Sequence, residues 1–370
     1  MAWVRLPTVD SSLPCQPPFS FFFDLVATHW KSRSSNSVTL HRICTLSRKQ
    51  GATFVVTESA LDRDDVKDEI ELLDTSLGGG GAAEAVAMAF FATQDDPAEN
   101  LNAISESSLL GTLVLINYRA PGHADFTHSY IYEALLRPPT LRIDGGQIPL
   151  LNNFICADGS FVRRVRGRDF PLQGIFYAQQ NGQTHVCAHA CLRMALNSIG
   201  VCNPPITSGT INSTLSISPP LTGLSLGQIS TVIDGIPGVK ASIVDCNNLA
   251  HSKFLTILAA IVESGHVALL VFTTGKENVE HVVTVFGHTR NSDEWHPEPS
   301  RRIQARNQRL IILAAFGSTI FSYTTIILVL TSHSAAAHLR WMKRCGHIGL
   351  SPYTQFGRPF VLTMQKERPL

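Results

Sequence analysis

Residues 177–200 read YAQQNGQTHVCAHACLRMALNSIG, and this stretch decides the fold class of the region around it. After Cys187, apolar residues recur at positions 188, 191, 192, 195 and 199, which is the spacing of a helix with one buried face. Gly200 follows, and a glycine is common just past the end of a helix. The pattern therefore predicts a helix that begins at Cys187 and ends before Gly200.

A second helix and a hairpin follow along the chain. Residues 251–265, HSKFLTILAAIVESG, have apolar side chains at helical spacing and predict a helix that ends near Gly265. The segments HVALLVF and HVVTVFGH, joined by TTGKENVE, predict two antiparallel strands, of which the second opens at His281. Helices beside an antiparallel sheet predict the α+β fold class.

Two side chains in these elements suggest nucleophilic chemistry. Unpaired backbone N–H groups at the first turn of a helix favour negative charge, which enriches the thiolate form of a cysteine such as Cys187. A thiolate nucleophile also needs an imidazole as base, and the base is often distant in sequence. His281 is the candidate base, with His266 and His288 as rivals. Taken alone, Cys187 would be a small buried apolar residue.

These segments resemble the papain-like cysteine peptidase superfamily, and most closely its bacteriocin-processing (double-glycine) branch and related peptidase-like proteins. In that family, as in YAQQNGQTHVCAHACLRMALN and EHVVTVFGHTRNSDEW, a glutamine precedes a helix-opening cysteine and a histidine opens a later strand. The resemblance extends from Phe176 to Trp295. It implies an α+β, papain-like fold in which the helix that carries the cysteine packs on the antiparallel sheet that carries the histidine.

The resemblance also implies roles for individual residues. Cys187 would be the nucleophile, His281 the general base, Gln180 the donor to the oxyanion, and Asp293 the group that orients the histidine. Gln180 lies one position further from the cysteine than the family usually has. The alternatives for the last two roles are Gln179 and Gln183 for the oxyanion and Asn291 for the acid.

The activity implied by the resemblance is hydrolysis of a peptide or amide bond through a thioester on Cys187, with a peptide or protein substrate and no cofactor. The alternatives are a catalytically silent binding module, a membrane-anchored protein and a peptide-transferring relative. Cys187, His189 and Cys191 form a C-x-H-x-C string, but residues two apart on a helix point to different faces. We therefore expect no metal site there.

The chain of 370 residues is long enough for two domains. The four glycines at 78–81 suggest a boundary near residue 76. The expected organisation is an irregular N-terminal region at 1–75, a small α+β accessory region at 76–170, the papain-like domain at 171–300, and an uncertain C-terminal region at 301–370.

The accessory region carries mixed signals. AAEAVAMAFFA, which follows the glycines, is dense in good helix formers, whereas LLGTLVLINY at 109–118 predicts a buried strand and SYIYEALL a short helix or strand. The pair Asp158-Gly159 between two apolar runs predicts a hairpin turn. Four arginines follow, and we expect them on solvated faces, with anion binding as the alternative: Arg163, Arg164, Arg166 and Arg168.

Composition limits the partners. The 30 basic and 29 acidic residues nearly cancel, so no nucleic-acid partner is expected, and the eight scattered cysteines predict mostly free thiols. No clear signal peptide opens the chain, which favours a cytoplasmic or membrane-associated protein.

Residues 310–330 carry no formal charge, so they predict either a membrane-spanning helix or two buried strands separated at Gly317-Ser318.

Overall fold

The protein is described by a computed structural model, in which the chain divides into two compact units. Unit 1 comprises residues 1–141, 158–186 and 207–222, and unit 2 comprises residues 142–157, 187–206 and 223–370. Helices and antiparallel sheets occur in the chain, so the α+β fold class is confirmed. The structure describes residues 2–5, 19–94, 100–137, 141–143, 146–148, 153–155, 159–181, 186–218, 223–247, 249–273, 280–290, 308–313, 325–331 and 363–364.

The elements are numbered in chain order. The helices are α1 Phe19–Ala27, α2 Val38–Lys49, α3 Asp64–Ser76, α4 Cys187–Ser198, α5 Ser208–Leu215, α6 Leu226–Asp234 and α7 His251–Glu263. The strands are β1 Ala2–Arg5, β2 Phe54–Ser59, β3 Ala82–Phe91, β4 Leu109–Arg119, β5 His128–Leu136, β6 Leu141–Ile143, β7 Gly146–Ile148, β8 Asn153–Ile155, β9 Ser160–Val165, β10 Arg168–Gln173, β11 Ile175–Tyr177, β12 Lys240–Asp245, β13 Val267–Thr273, β14 Glu280–Arg290, β15 Gln308–Leu313, β16 Thr325–Thr331 and β17 Thr363–Met364.

Unit 1 is built on a six-stranded sheet in the order β1-β2-β3-β4-β5-β11. Each neighbouring pair of strands is antiparallel. Helix α3 covers part of one face, where Val66 and Leu73 pack with Tyr118, Tyr130 and Tyr132 in one buried cluster. Burial of these large side chains supplies much of the apolar stabilisation of the unit.

The N-terminal region differs from the prediction of an irregular segment at 1–75. It contains α1, α2, β2 and α3, and β2 lies inside the sheet between β1 and β3. Leu40, Val55 and Val66 are buried. Each element is short and carries charged residues, so its periodicity is weak in the sequence. The boundary expected near residue 76 falls between α3 and β3, within one unit.

The segment AAEAVAMAFFA is a strand, although its composition favours a helix. As β3 it pairs with β2 on one side and β4 on the other, and Phe90 and Phe91 are fully buried. Helix propensity is a weak prior that tertiary pairing overrides. The strand predicted at 109–118 is confirmed as β4, and SYIYEALL lies in strand β5.

The hairpin in the accessory region turns at a different place from the one predicted. Strands β9 and β10 pair through the two residues Arg166 and Gly167, whose φ angles are 50° and 81°. Two consecutive positive φ angles are typical of the tight turn that suits a two-residue hairpin. The segment before Asp158 contains β8, which pairs with β14 rather than with β9. Asp158 itself lies outside the described residues.

Unit 2 is built on a sheet in the order β12-β16-β13-β14-β15, with β8 added at β14 and β17 at β16. The helix predicted from Cys187 is confirmed as α4, followed by Gly200 at a φ of 65°. The second predicted helix is α7, followed by Gly265 at a φ of 83°. The predicted hairpin is confirmed as the antiparallel pair β13 and β14. Both helices pack against β14.

The uncharged segment at 310–330 contributes strands where the structure describes it. Its first part belongs to β15 and its last part to β16, which lies between β12 and β13. Among the described residues, no helix has the length and apolar content needed to cross a bilayer. These findings agree with the two-strand interpretation. The proposed turn at Gly317-Ser318 lies outside the described residues.

Candidate active site

Cys187 is the first residue of α4, and its side chain is half-buried. All of residues 188–198 are buried, so the helix is a central element of the unit and not a surface helix. The first amides of a helix have no partner within it and favour an anionic group. A thiolate at Cys187 would therefore receive electrostatic stabilisation from α4.

Helix α4 is fixed to strand β14 around Val282. The Cys191 thiol donates a hydrogen bond to the Val282 carbonyl at 3.2 Å. The Thr284 hydroxyl donates to the Cys191 carbonyl at 3.3 Å. One helical turn before Cys191, the Cys187 thiol lies beside the backbone amide of Val282. Since Val282 follows His281, the contact between α4 and β14 brings the two predicted catalytic residues to neighbouring positions.

The pKa of the Cys187 thiol reflects two opposed effects. Burial raises the pKa, because the charged thiolate loses hydration. The backbone amides of Val282, Ala188 and Cys187 itself lower it, because they donate to the thiolate. Burial dominates, and the net pKa is raised above the ordinary value. The resting thiol is thus protonated at neutral pH.

His281 is the second residue of β14 and is also half-buried. Burial lowers the pKa of its imidazole below the ordinary value of 6.5. The ring is therefore neutral at pH 7 and can accept a proton. It meets the Phe272 ring on β13 edge to face, with the two centroids 5.6 Å apart.

The orientation of the His281 ring separates it from the thiol. His281 and Phe272 are directly paired across β13 and β14, so their side chains share one face of the sheet. Thr284 lies three positions after His281 and directs its hydroxyl to α4, and in a regular strand positions an odd number apart point to opposite faces. Among the described residues no hydrogen bond joins Cys187 and His281. Proton transfer between them requires the backbone at the start of β14 to reorient, so that the imidazole faces α4.

The other predicted site residues are distributed as follows. Gln180 is half-buried after β11 and belongs to unit 1, whereas Cys187 and His281 belong to unit 2. The alternative Gln179 is engaged with β5: its backbone N–H donates to the Ile131 carbonyl and its Oε1 accepts from the Ile131 N–H, both at 3.0 Å. Three further candidates lie outside the described residues: Gln183, Asn291 and Asp293.

The backbone of Val282 and the hydroxyl of Thr284 fix α4 to β14, and the sequence did not predict either contact. The only available signal was the spacing of Cys187 and Cys191, which places both thiols on one helical face. Of the rival bases, His266 is buried just before β13, and His288 is paired in the sheet register with Leu310 and Phe154. Within the described ranges, no three His, Cys, Asp or Glu side chains converge on a point where a metal ion could bind.

The chain matches no family model, no curated protein and no solved structure. A function must therefore be argued from the chemistry of Cys187 and His281 and from the sequence pattern around them.

Proposed function

We propose that this protein is a papain-like cysteine hydrolase that cleaves a peptide or amide bond through a thioester on Cys187. The observation that carries the proposal is the contact of the Cys187 thiol with the backbone amide of Val282, the residue next to His281. A nucleophile at the start of a helix and a base at the start of a strand packed on that helix are the two parts that thiol catalysis needs.

In the proposed reaction, the start of β14 reorients so that the His281 imidazole faces α4, and His281 then takes the proton of the Cys187 thiol as the sulfur attacks the carbonyl carbon of the substrate. The leaving amine then takes that proton from the imidazole, which leaves a thioester on the sulfur. Water, deprotonated by the same imidazole, hydrolyses the thioester and restores the thiol. The neutral imidazole, whose pKa burial lowers, suits the first and third steps. The amides that open α4 would stabilise the oxyanion. The family resemblance implies an oxyanion role for Gln180 and an orienting role for Asp293, and both remain predictions.

Selective alkylation tests the proposal. Cys202 is a matched control because it is also half-buried, and burial raises the pKa of its thiol to about 11. We expect iodoacetamide at neutral pH to modify Cys187 at least about tenfold faster than Cys202, because of these two thiols Cys187 lies at a helix N-terminus and the proposal gives it His281 as a base once the imidazole faces α4. Peptide mapping by mass spectrometry gives the two rates. Equal rates at Cys187 and at Cys202 or Cys246 would contradict the proposal.

A second candidate is a papain-like scaffold that binds a partner without catalysis. Two observations favour it: burial raises the pKa of the Cys187 thiol, and the His281 ring rests on Phe272. In this alternative the arginines of the β9–β10 hairpin would contact the partner. The alkylation experiment separates the two candidates, because a silent scaffold has no reason to keep Cys187 more reactive than Cys202. A peptide-transferring enzyme would use the same thioester, with an amine in place of water.

A further inference from the structure

A cavity lies on one face of the unit 1 sheet and has about 370 Å³ of empty space, part of it open to solvent. Its floor follows one row of paired residues across four strands: Glu58 pairs with Ala87, Ala87 with Val114, and Val114 with Glu133. Ala89 lies beside Ala87 on the same face, two positions along β3. The two alanines leave the centre of the floor without large side chains.

Two arginines from different elements border this floor, and the N–H groups of the first donate hydrogen bonds to neighbouring carboxylates. Arg63, at the N-terminal cap of α3, donates to Glu133 Oε1 at 2.8 Å. Its Nε and Nη2 donate to the two carboxylate oxygens of Asp65 at 3.0 and 2.6 Å. Glu133 is buried, and its charge is compensated by this bond.

The second arginine, Arg163 on β9, lacks short hydrogen bonds of this kind to a carboxylate. Its side chain is only 17% exposed, and its Nε is buried without a hydrogen bond. Glu133 Oε1 lies 3.8 Å from its Nη2, which is too long for a hydrogen bond. The guanidinium also lies 5.4 Å from the centre of the Phe161 ring. Arg163 thus has a long ion pair with Glu133 and one buried N–H group, at Nε, without an acceptor, and a buried donor that lacks a partner is costly.

Arg164, the next residue, provides an internal comparison. It borders the same cavity, but its side chain is 71% exposed and it donates to both carboxylate oxygens of Asp169, at 2.8 and 3.1 Å. Its charge is thus paired within the β9–β10 hairpin. Of these two neighbouring arginines, Arg163 is the buried one, and its Nε is the donor that lacks a hydrogen-bond partner.

We propose that this cavity binds a small monocarboxylate with a short aliphatic body, whose carboxylate is held by Arg163. The planar guanidinium matches a carboxylate with two parallel hydrogen bonds. Val56, Ala87 and Ala89 offer an apolar surface to the aliphatic part. Glu58 and Glu133 disfavour a doubly charged anion such as phosphate. The ligand site lies in unit 1 and does not depend on Cys187 or on the proposed hydrolase activity.

Isothermal titration calorimetry of the full chain with butyrate tests this proposal. At constant ionic strength we expect saturable binding with a dissociation constant on the order of 1 mM, as suits so small a ligand. Inorganic phosphate and n-butylamine, which change the charge of the head group, should bind at least about tenfold more weakly. No saturation by butyrate, or equal binding of phosphate, would overturn the proposal.

Variants locate the binding. Arg163→Gln should weaken butyrate binding at least about tenfold, whereas Arg164→Gln should change it by less than about twofold, because Arg164 is exposed and paired with Asp169. Ala87→Leu fills the floor without touching Arg163 and should also abolish binding. Circular dichroism checks that each variant is folded. Unchanged binding in Arg163→Gln or in Ala87→Leu, or an equal loss in Arg164→Gln, would place the ligand elsewhere.

Discussion

Burial and the nearby backbone amides shift the pKa of the Cys187 thiol in opposite directions. Burial dominates, so the pKa is raised and little thiolate is stored at neutral pH. A resting thiolate–imidazolium pair is therefore not the form that the structure favours. The proposed mechanism instead has His281 remove the proton during attack, in the manner of a serine–histidine pair. Burial keeps that imidazole neutral, as this role requires.

The lowered pKa of His281 predicts how stability depends on pH. Well above pH 6.5 the imidazole is neutral in both the folded and the unfolded chain, so it contributes no pH dependence. As the pH falls below that value, the unfolded chain binds a proton that the folded chain refuses. The free energy of unfolding then decreases until the pH reaches the folded pKa. We expect His281→Gln to lose less stability than the wild type between neutral and acidic pH.

Urea denaturation of the two proteins at several pH values measures this difference. Burial also lowers the pKa values of His29 and His128. Both residues are present in the wild type and in the variant, so their contributions to the pH dependence cancel in the comparison. An identical pH dependence in the two proteins would mean that His281 is not buried as described.

At the scale of elements, the sequence predicted those helices and strands whose formation depends on residues within the element itself. Helices α4 and α7 and the β13–β14 hairpin could be predicted because their apolar spacing and closing glycines are contained in the segment itself. Strand β3 could not, since its alanines favour a helix and only pairing with β2 and β4 makes it a strand. The β9–β10 turn was missed because Arg166 is an unusual residue for a positive φ.

The backbone conformation of that turn can be tested at Gly167. Gly167 has a φ of 81°, and an added Cβ would meet no atom within 4 Å. Gly167→Ala should therefore destabilise the protein by about 1 kcal/mol through backbone conformation alone. Gly209→Ala is the control in the same unit: Gly209 lies in α5, its Cβ would make an ordinary contact at 3.6 Å, and alanine should stabilise by up to about 1 kcal/mol. Urea denaturation measures both changes, and equal effects would refute the turn geometry.

At the scale of the whole molecule, the two units are discontinuous in sequence, which no local pattern could reveal. Unit 1 ends one of its segments at Val186, and Cys187 begins a segment of unit 2. The helix and the histidine strand were predictable because they belong to one unit. Gln180 belongs to the other, so its role at the oxyanion remains a prediction. The division of 1–75 from 76–170 was inferred from flexible glycines, yet both regions contribute strands to one sheet.

The dependence of Cys187 alkylation on His281 across pH tests the central claim most directly. Between about pH 6.5 and about pH 8, we predict that His281→Gln reacts at least about tenfold more slowly than the wild type, with convergence at lower pH as the imidazole is protonated. His266→Gln, which replaces a buried rival base, should keep the wild-type profile. Profiles of wild type and His281→Gln that coincide over the whole range would contradict the assignment of Cys187 and His281 as a catalytic pair.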